Sequence, residues 1–172
     1  MARLQHLTAP GCTYFVTTKA ARNIALFHVQ QIAEIVVAKL MHYREAGAYQ
    51  LHEFVLMPNH LHLLLTPNHP ATLERALQFI KGGSSYEIHK MRGHKTEIWQ
   101  AGFHESTIRD LADYLSKVRY IHQNPVMAGL VENPQDWAWS SAGQRYQIDP
   151  IPQGLKPSLV QAVNVGAKAP TP

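Results

Sequence analysis

Residues 49–65 constrain the fold more than any other stretch of the chain. Two apolar runs, Tyr49 to Met57 and His60 to Leu65, are separated only by Pro58-Asn59. Strand-like runs of this length around a turn dipeptide predict a β-hairpin. Within the second run, His60-Leu-His-Leu-Leu-Leu65 otherwise reads as a buried strand. Strand side chains alternate, so His60 and His62 share one face while Leu61 points to the other. Their Cβ atoms then stand roughly 7 Å apart, within reach of one shared cation. His60 and His62 are therefore candidate metal ligands. A chain with 11 His also produces such pairs by chance, so the assignment needs a second half elsewhere.

Length and composition bound the rest. At 172 residues, 45% of them hydrophobic, the chain suits one domain with a real core. A formal charge of +4 suits a polyanionic partner without proving one. Cys12 is the only cysteine, which excludes a disulfide framework and a cysteine-based zinc site. Met1-Ala-Arg-Leu-Gln-His6 has no apolar core of a leader, and no run is long enough to span a bilayer. The expectation is a cytoplasmic protein with no membrane partner.

Around the β-hairpin, Tyr14 to Thr18 predicts a first strand and Ile24 to Glu45 a helix closed at Gly47. Thr72 opens a second helix through Ile80, interrupted near Gly82-Gly83 and resuming to Lys90. Ile98 to Ile108 is a last extended segment. Strand, helix, strand, strand, helix, strand predicts an α+β, ferredoxin-like (RRM-like) antiparallel sheet with helices on one face. A further helix follows from Asp110, which can cap it, to Gln123, stopped by Pro125. Residues 1–142 are expected to form the domain and 143–172, rich in proline, an irregular and partly disordered tail.

That further helix carries the second half of the chemistry. Leu111, Tyr114, Leu115, Val118 and Ile121 follow core spacing. Tyr120 falls off that stripe, on a polar face with Lys117, Ser116 and Asn124. A surface tyrosine is commonplace, yet this one is free for binding or chemistry. Asn124, one turn on, offers an amide oxygen as a third ligand. Two imidazoles and one amide oxygen suit Mg2+ or Mn2+ better than a closed zinc site.

With both segments in hand, the chain resembles the HUH-type tyrosine transposases, specifically the REP-associated tyrosine transposases. The resemblance rests on Met57-Pro-Asn-His-Leu-His-Leu-Leu64, on Tyr120-Ile-His-Gln-Asn-Pro-Val-Met-Ala-Gly-Leu-Val131 and on Asp136-Trp-Ala-Trp-Ser-Ser141. Ile80 to Tyr86 and Ile98 to Phe103 add to it, so residues 10 to 142 are covered in the family's order. The family implies single-stranded DNA as substrate and palindromic repeats that form DNA hairpins as targets. By position, His60 and His62 match the metal ligands, Tyr120 the nucleophile and Asn124 the third ligand, with Gln123 its rival. Met127 stands where the family commonly has a basic residue.

The implied activity is metal-dependent cleavage and strand transfer through a 5′-phosphotyrosine. A cation neutralises and orients the scissile phosphate. A phenol ordinarily titrates near about pH 10 and needs local positive potential to attack at neutrality, for which Lys117 and Arg119 are candidates. The covalent link conserves the phosphoester, so a 3′-hydroxyl can reverse the step, which a water-using nuclease cannot. Lys81, Tyr86, Lys90, Arg92 and Lys95 interleave charge with an aromatic and are further candidate DNA contacts, along with Lys117 and Arg119. The alternative is a non-catalytic nucleic-acid-binding module on the same fold, although histidines stand where such a module carries aromatics. A zinc hydrolase would want an acidic residue at position 64, where Leu64 stands. A replication initiator or relaxase would normally be longer. Whether the chain acts as a monomer or a homodimer, with Tyr120 serving its own or a partner's histidines, is left open at this point.

Overall fold

The computed structural model describes residues 11–155. Four strands form one antiparallel sheet: β1 (Tyr14–Lys19), β2 (Tyr49–Met57), β3 (His60–Pro67) and β4 (His104–Thr107), in the order β2-β3-β1-β4. Helices α1 (Gln30–Glu45) and α2 (Leu73–Arg92) supply the crossovers, and α3 (Leu111–Met127) follows β4. This is the ferredoxin-like arrangement read from the element order. A solved structure reported below superposes on most of the chain.

Two buried clusters divide the molecule at the sheet. On one side Leu61, Leu63 and Leu65 of β3 meet Val36, Leu40, Leu77 and Ile80 of α1 and α2. On the other, Leu64 meets Val55, Met57, Tyr114 and Ile121 beneath α3. Both faces of β3 are therefore covered, which is why its apolar residues are consecutive. Each fully buried leucine contributes about 2 kcal/mol of transfer free energy.

Strand β2 reconciles its two faces with a bulge. Its register with β3 shifts between Leu51 and Glu53, leaving His52 as the extra residue. Strict alternation would put Leu51 on the face of Val55 and Met57. The bulge turns it instead toward Phe54, Leu56 and the α1–α2 layer.

The helices differ from the sequence expectation in four places. The predicted first helix begins at Gln30, because Ile24 to Val29 fold into a short 3-10 turn and its flanks. α2 runs unbroken through Gly82-Gly83. Gly83 is there for space: a Cβ would lie 2.8 Å from Tyr43 Oη on α1. α3 passes Pro125 and ends at Met127, closed by Gly129 at φ 68°. Pro125 removes one hydrogen bond from the final turn and is itself buried, so the cost falls where few bonds remain. Leu115, assigned to the core stripe, is 40% exposed. Asp110 caps α3 as expected, accepting from Asp113 N at 2.8 Å.

The predicted last strand is shorter than 98–108: only His104–Thr107 pairs as β4, while Trp99 makes a lone bridge to Ala20. The chain after α3 returns to the outer edge of β2. Leu56 N donates to Trp139 O at 2.8 Å, Trp137 Nε1 donates to Leu56 O at 3.0 Å, and Asp149 N donates to Leu51 O at 2.7 Å. Residues 137–150 thus strap an edge that would otherwise be open. The first residues and the expected disordered end, 156–172, lie outside the described residues.

Candidate active site

The site is built where α3 crosses the face of the sheet that carries the even positions of β3. β1 pairs with β3 so that Lys19 lies opposite His60 and Thr17 opposite His62. Cross-strand partners share a face, so Phe15, Thr17 and Lys19 join the two histidines there. The imidazole rings of His60 and His62 lie 4.6 Å apart between centroids.

Each ring is held by a neighbour at Nδ1. Thr17 Oγ1 is 2.8 Å from His62 Nδ1, and Asn59 Oδ1 is 2.6 Å from His60 Nδ1. The Asn59 amide is itself oriented, donating to Asn23 Oδ1 at 3.1 Å. In the tautomers whose Nδ1–H donates to these oxygens, the lone pair of each ring sits on Nε2. His62 is 4% exposed, and its Nε2 is buried with no hydrogen-bond partner among the described residues. An orphaned, buried imidazole nitrogen is costly unless something occupies it. Burial, the neighbouring His60 and Lys19 push the His62 pKa down to about 3, so the ring is neutral at physiological pH. Burial and Lys19 also lower that of His60, against a hydrogen bond with the Asn124 side chain.

α3 brings the remaining groups. Lys117, Tyr120 and Asn124 line one flank of the helix. The Tyr120 ring packs 5.2 Å from the His62 ring and edge-on to Phe15 at 5.8 Å, while the residue stays half exposed. Lys117 Nζ sits 4.8 Å from the centre of the Phe15 ring. Asn124 therefore turns to His60, whereas Gln123 lies on the other flank of α3. The tyrosine and the histidine pair come together within one chain.

Other predicted contacts do not join this cluster. Lys81, Tyr86, Lys90 and Arg92 belong to α2 and Lys95 to the loop after it, across the sheet from the histidines. Lys81 Nζ donates to Gln100 O and Gly102 O, both at 2.7 Å, fastening that loop to α2. Arg119 occupies the far flank of α3 from Tyr120. His52, a proposed support for the pair, instead donates from Nδ1 to Pro150 O and accepts from Thr66 at Nε2, away from the site. The tryptophans pack, as expected: Trp99 lies 4.6 Å from the Phe27 ring and donates to Ser84 Oγ at 3.0 Å.

A family model described as "Transposase IS200 like" matches residues 11–124, from before β1 to Asn124. The chain belongs to the IS200-like transposase family. This transposase is 28% identical over 144 residues to the REP-associated tyrosine transposase of Escherichia coli (strain K12), the match taking in 82% of each chain. A Haemophilus influenzae relative named for the same transposase group is 28% identical over 116 residues, which cover 60% of this chain and 66% of the relative. A solved REP-associated tyrosine transposase, bound in that structure to a REP hairpin, superposes with a TM-score of 0.71. That overlay covers 91% of this chain and 89% of the other at 24% identity, and shows the shared fold. The family resemblance read from the sequence is borne out, as is the enzyme class: tyrosine transposases cleave and rejoin DNA. No helix among the described residues is long and apolar enough to cross a membrane.

Sequence reasoning missed Phe15, Thr17, Lys19 and Asn59. The first three occupy alternate positions of β1, so a period-2 reading groups them. Only the β1–β3 register shows which face of the sheet they share.

Proposed function

We propose that this transposase cleaves and rejoins single-stranded DNA at palindromic repeats that fold into hairpins, through a 5′-phosphotyrosine on Tyr120. A divalent ion, Mg2+ or Mn2+, is held by His60, His62 and Asn124. The observation that supports it most is the buried, partnerless Nε2 of His62 beside the Tyr120 ring. Among the described residues no group of three or more His, Cys, Asp or Glu side chains could hold a metal. The donor set is thus two imidazoles and an amide, which fits an oxygen-preferring ion completed by phosphate and water. When bound, the ion supplies charge neutralisation and orientation of the scissile phosphate.

The chain's own residues do the rest. Thr17 and Asn59 hold the rings of His60 and His62. Phe15 meets the Tyr120 ring edge-on and restricts its swing. The Oη of Tyr120 attacks phosphorus, the P–O3′ bond breaks, the phenolic proton leaves, and the departing 3′-oxygen takes one up. One phosphoester replaces another, so a 3′-hydroxyl can run the step backward without an external energy source. Lys117 and Lys19 provide positive potential on either side of Tyr120 and the histidines. Tyr120 serves the histidines of its own chain.

The test is incubation with single-stranded oligonucleotides carrying imperfect palindromes, in Mn2+ or Mg2+, followed by a denaturing protein gel. A protein–DNA adduct is expected, and is lost in Tyr120→Phe and in EDTA. Metal-dependent cutting without any adduct would replace the phosphotyrosine with water, and binding without cutting would favour the non-catalytic alternative.

A further inference from the structure

The flank of α3 opposite Tyr120 carries a second feature, which the cleavage chemistry does not use. There α3 and the turn at Pro134–Asp136 enclose a groove of about 440 Å³. One wall is apolar, made by Leu115, Val118 and Pro134. The other side presents Arg119, Gln123 and Gln135. Leu115 is on a core-like spacing yet remains exposed, so its apolar surface is held out of the core and into this groove. Arg119 enters no ion pair among the described residues. The back of the groove is rigid: His122 Nε2 donates to Glu53 of β2 at 2.8 Å, and the same carboxylate accepts from Ser141 Oγ. Ser141 Oγ in turn accepts from Phe54 N at 3.0 Å. Helix, sheet and strap are thereby locked around the space.

An apolar wall, two amides and one guanidinium form an unusual combination for a groove that binds only backbone phosphate. A primary amide offers one acceptor and two donors on a plane, the pattern that pairs with the edge of a base. The apolar wall suits the flat face of that base, and the guanidinium suits a phosphate. We propose that this groove takes one unpaired nucleotide of the DNA, flanking the hairpin, and reads its base through Gln123 and Gln135 while Arg119 meets its phosphate. The strand then crosses the exposed ridge of α3 between the groove and Tyr120. The proposal rests on the DNA-cleavage reading for its substrate, and it adds the element that selects which flanking sequence is accepted.

The test uses the full chain carrying Tyr120→Phe, so that binding is measured without cleavage. The probes are fluorescein-labelled DNA hairpins with a five-nucleotide single-stranded flank, each flank position replaced in turn by an abasic residue, read by anisotropy. One flank position is expected to matter, its loss weakening binding by about tenfold. Gln123→Ala and Gln135→Ala should each erase that position's effect and leave the other positions unchanged. Arg119→Ala should weaken all probes alike and lower the salt dependence by about one phosphate's share. Equal binding of every abasic probe, or base preferences unchanged in both glutamine variants, overturns the groove assignment while leaving the cleavage site intact. A parent that discriminates at one flank position, in a wild type that forms no adduct, upholds the groove and removes the cleavage reading. No binding of any DNA hairpin removes both.

Discussion

His62 is the residue on which the chemistry turns, and what matters is the nitrogen it leaves free. Thr17 occupies one ring nitrogen, and burial keeps the other neutral and without a partner. Substituting Thr17 by Val keeps the shape and removes the oxygen. Thr17→Val should lower Mn2+ affinity by about tenfold or more, measured by calorimetric titration, with the fold's circular dichroism unchanged. His62→Ala should abolish metal binding in the same titration. The histidine pair, Tyr120 and Asn124 were legible in the sequence because each sits on a local period: two residues along a strand, or one turn of a helix. Thr17 and Lys19 were not, because their place beside His62 and His60 depends on a β1–β3 register set across more than forty residues.

At the scale of elements, the same distinction explains where helix boundaries were misjudged. Local rules read Gly82-Gly83 and Pro125 as interruptions, and in an isolated peptide they would be. In the protein, Gly83 admits the Tyr43 ring, which also stacks on Phe79 at 5.1 Å, so tertiary packing of α1 on α2 outweighs helix propensity. Gly83→Ala should therefore destabilise the fold by about 1–3 kcal/mol in urea, although alanine is the better helix former. Stabilisation by that substitution would show that the contact between α1 and α2 is loose. The α3 cap was legible, since Asp110 precedes an apolar period. Asp110→Ala should cost about 1 kcal/mol by the same measurement. Because α3 carries Tyr120, the variant should also lose cleavage rate in proportion to any fraying of the first turn.

Across the whole molecule, the sequence disclosed the sheet and its crossovers but not how the chain closes on itself. Proline-rich sequence after Gln144 carries no period, yet Asp149 forms a two-pronged ion pair with Arg44, at 2.8 and 2.9 Å, and accepts from Leu51 N at 2.8 Å. Next to it, the bulge residue His52 donates to Pro150 O at 2.6 Å. Neither contact follows from local rules, because each joins residues about a hundred positions apart. Burial holds the His52 pKa below the ordinary imidazole value, so the folded chain binds fewer protons here than the unfolded chain. Stability from the neutral ring is full above about pH 6.5 and declines as pH falls through it toward the folded value. Urea midpoints taken from pH 7.5 down to 5.5 should fall, and the fall should be shallower in His52→Gln. An identical slope in the variant would assign the acid loss to the other buried imidazoles.

The account as a whole rests on one covalent bond. Wild-type protein should be reacted with a cleavable DNA hairpin in Mn2+, trimmed with nuclease, digested and mapped by mass spectrometry. The prediction is a nucleotide phosphate on the peptide containing Tyr120, absent from the His62→Ala protein. A modification on Tyr114 or Tyr86, or cleaved DNA with a free 5′-phosphate and no modified tyrosine, would contradict it.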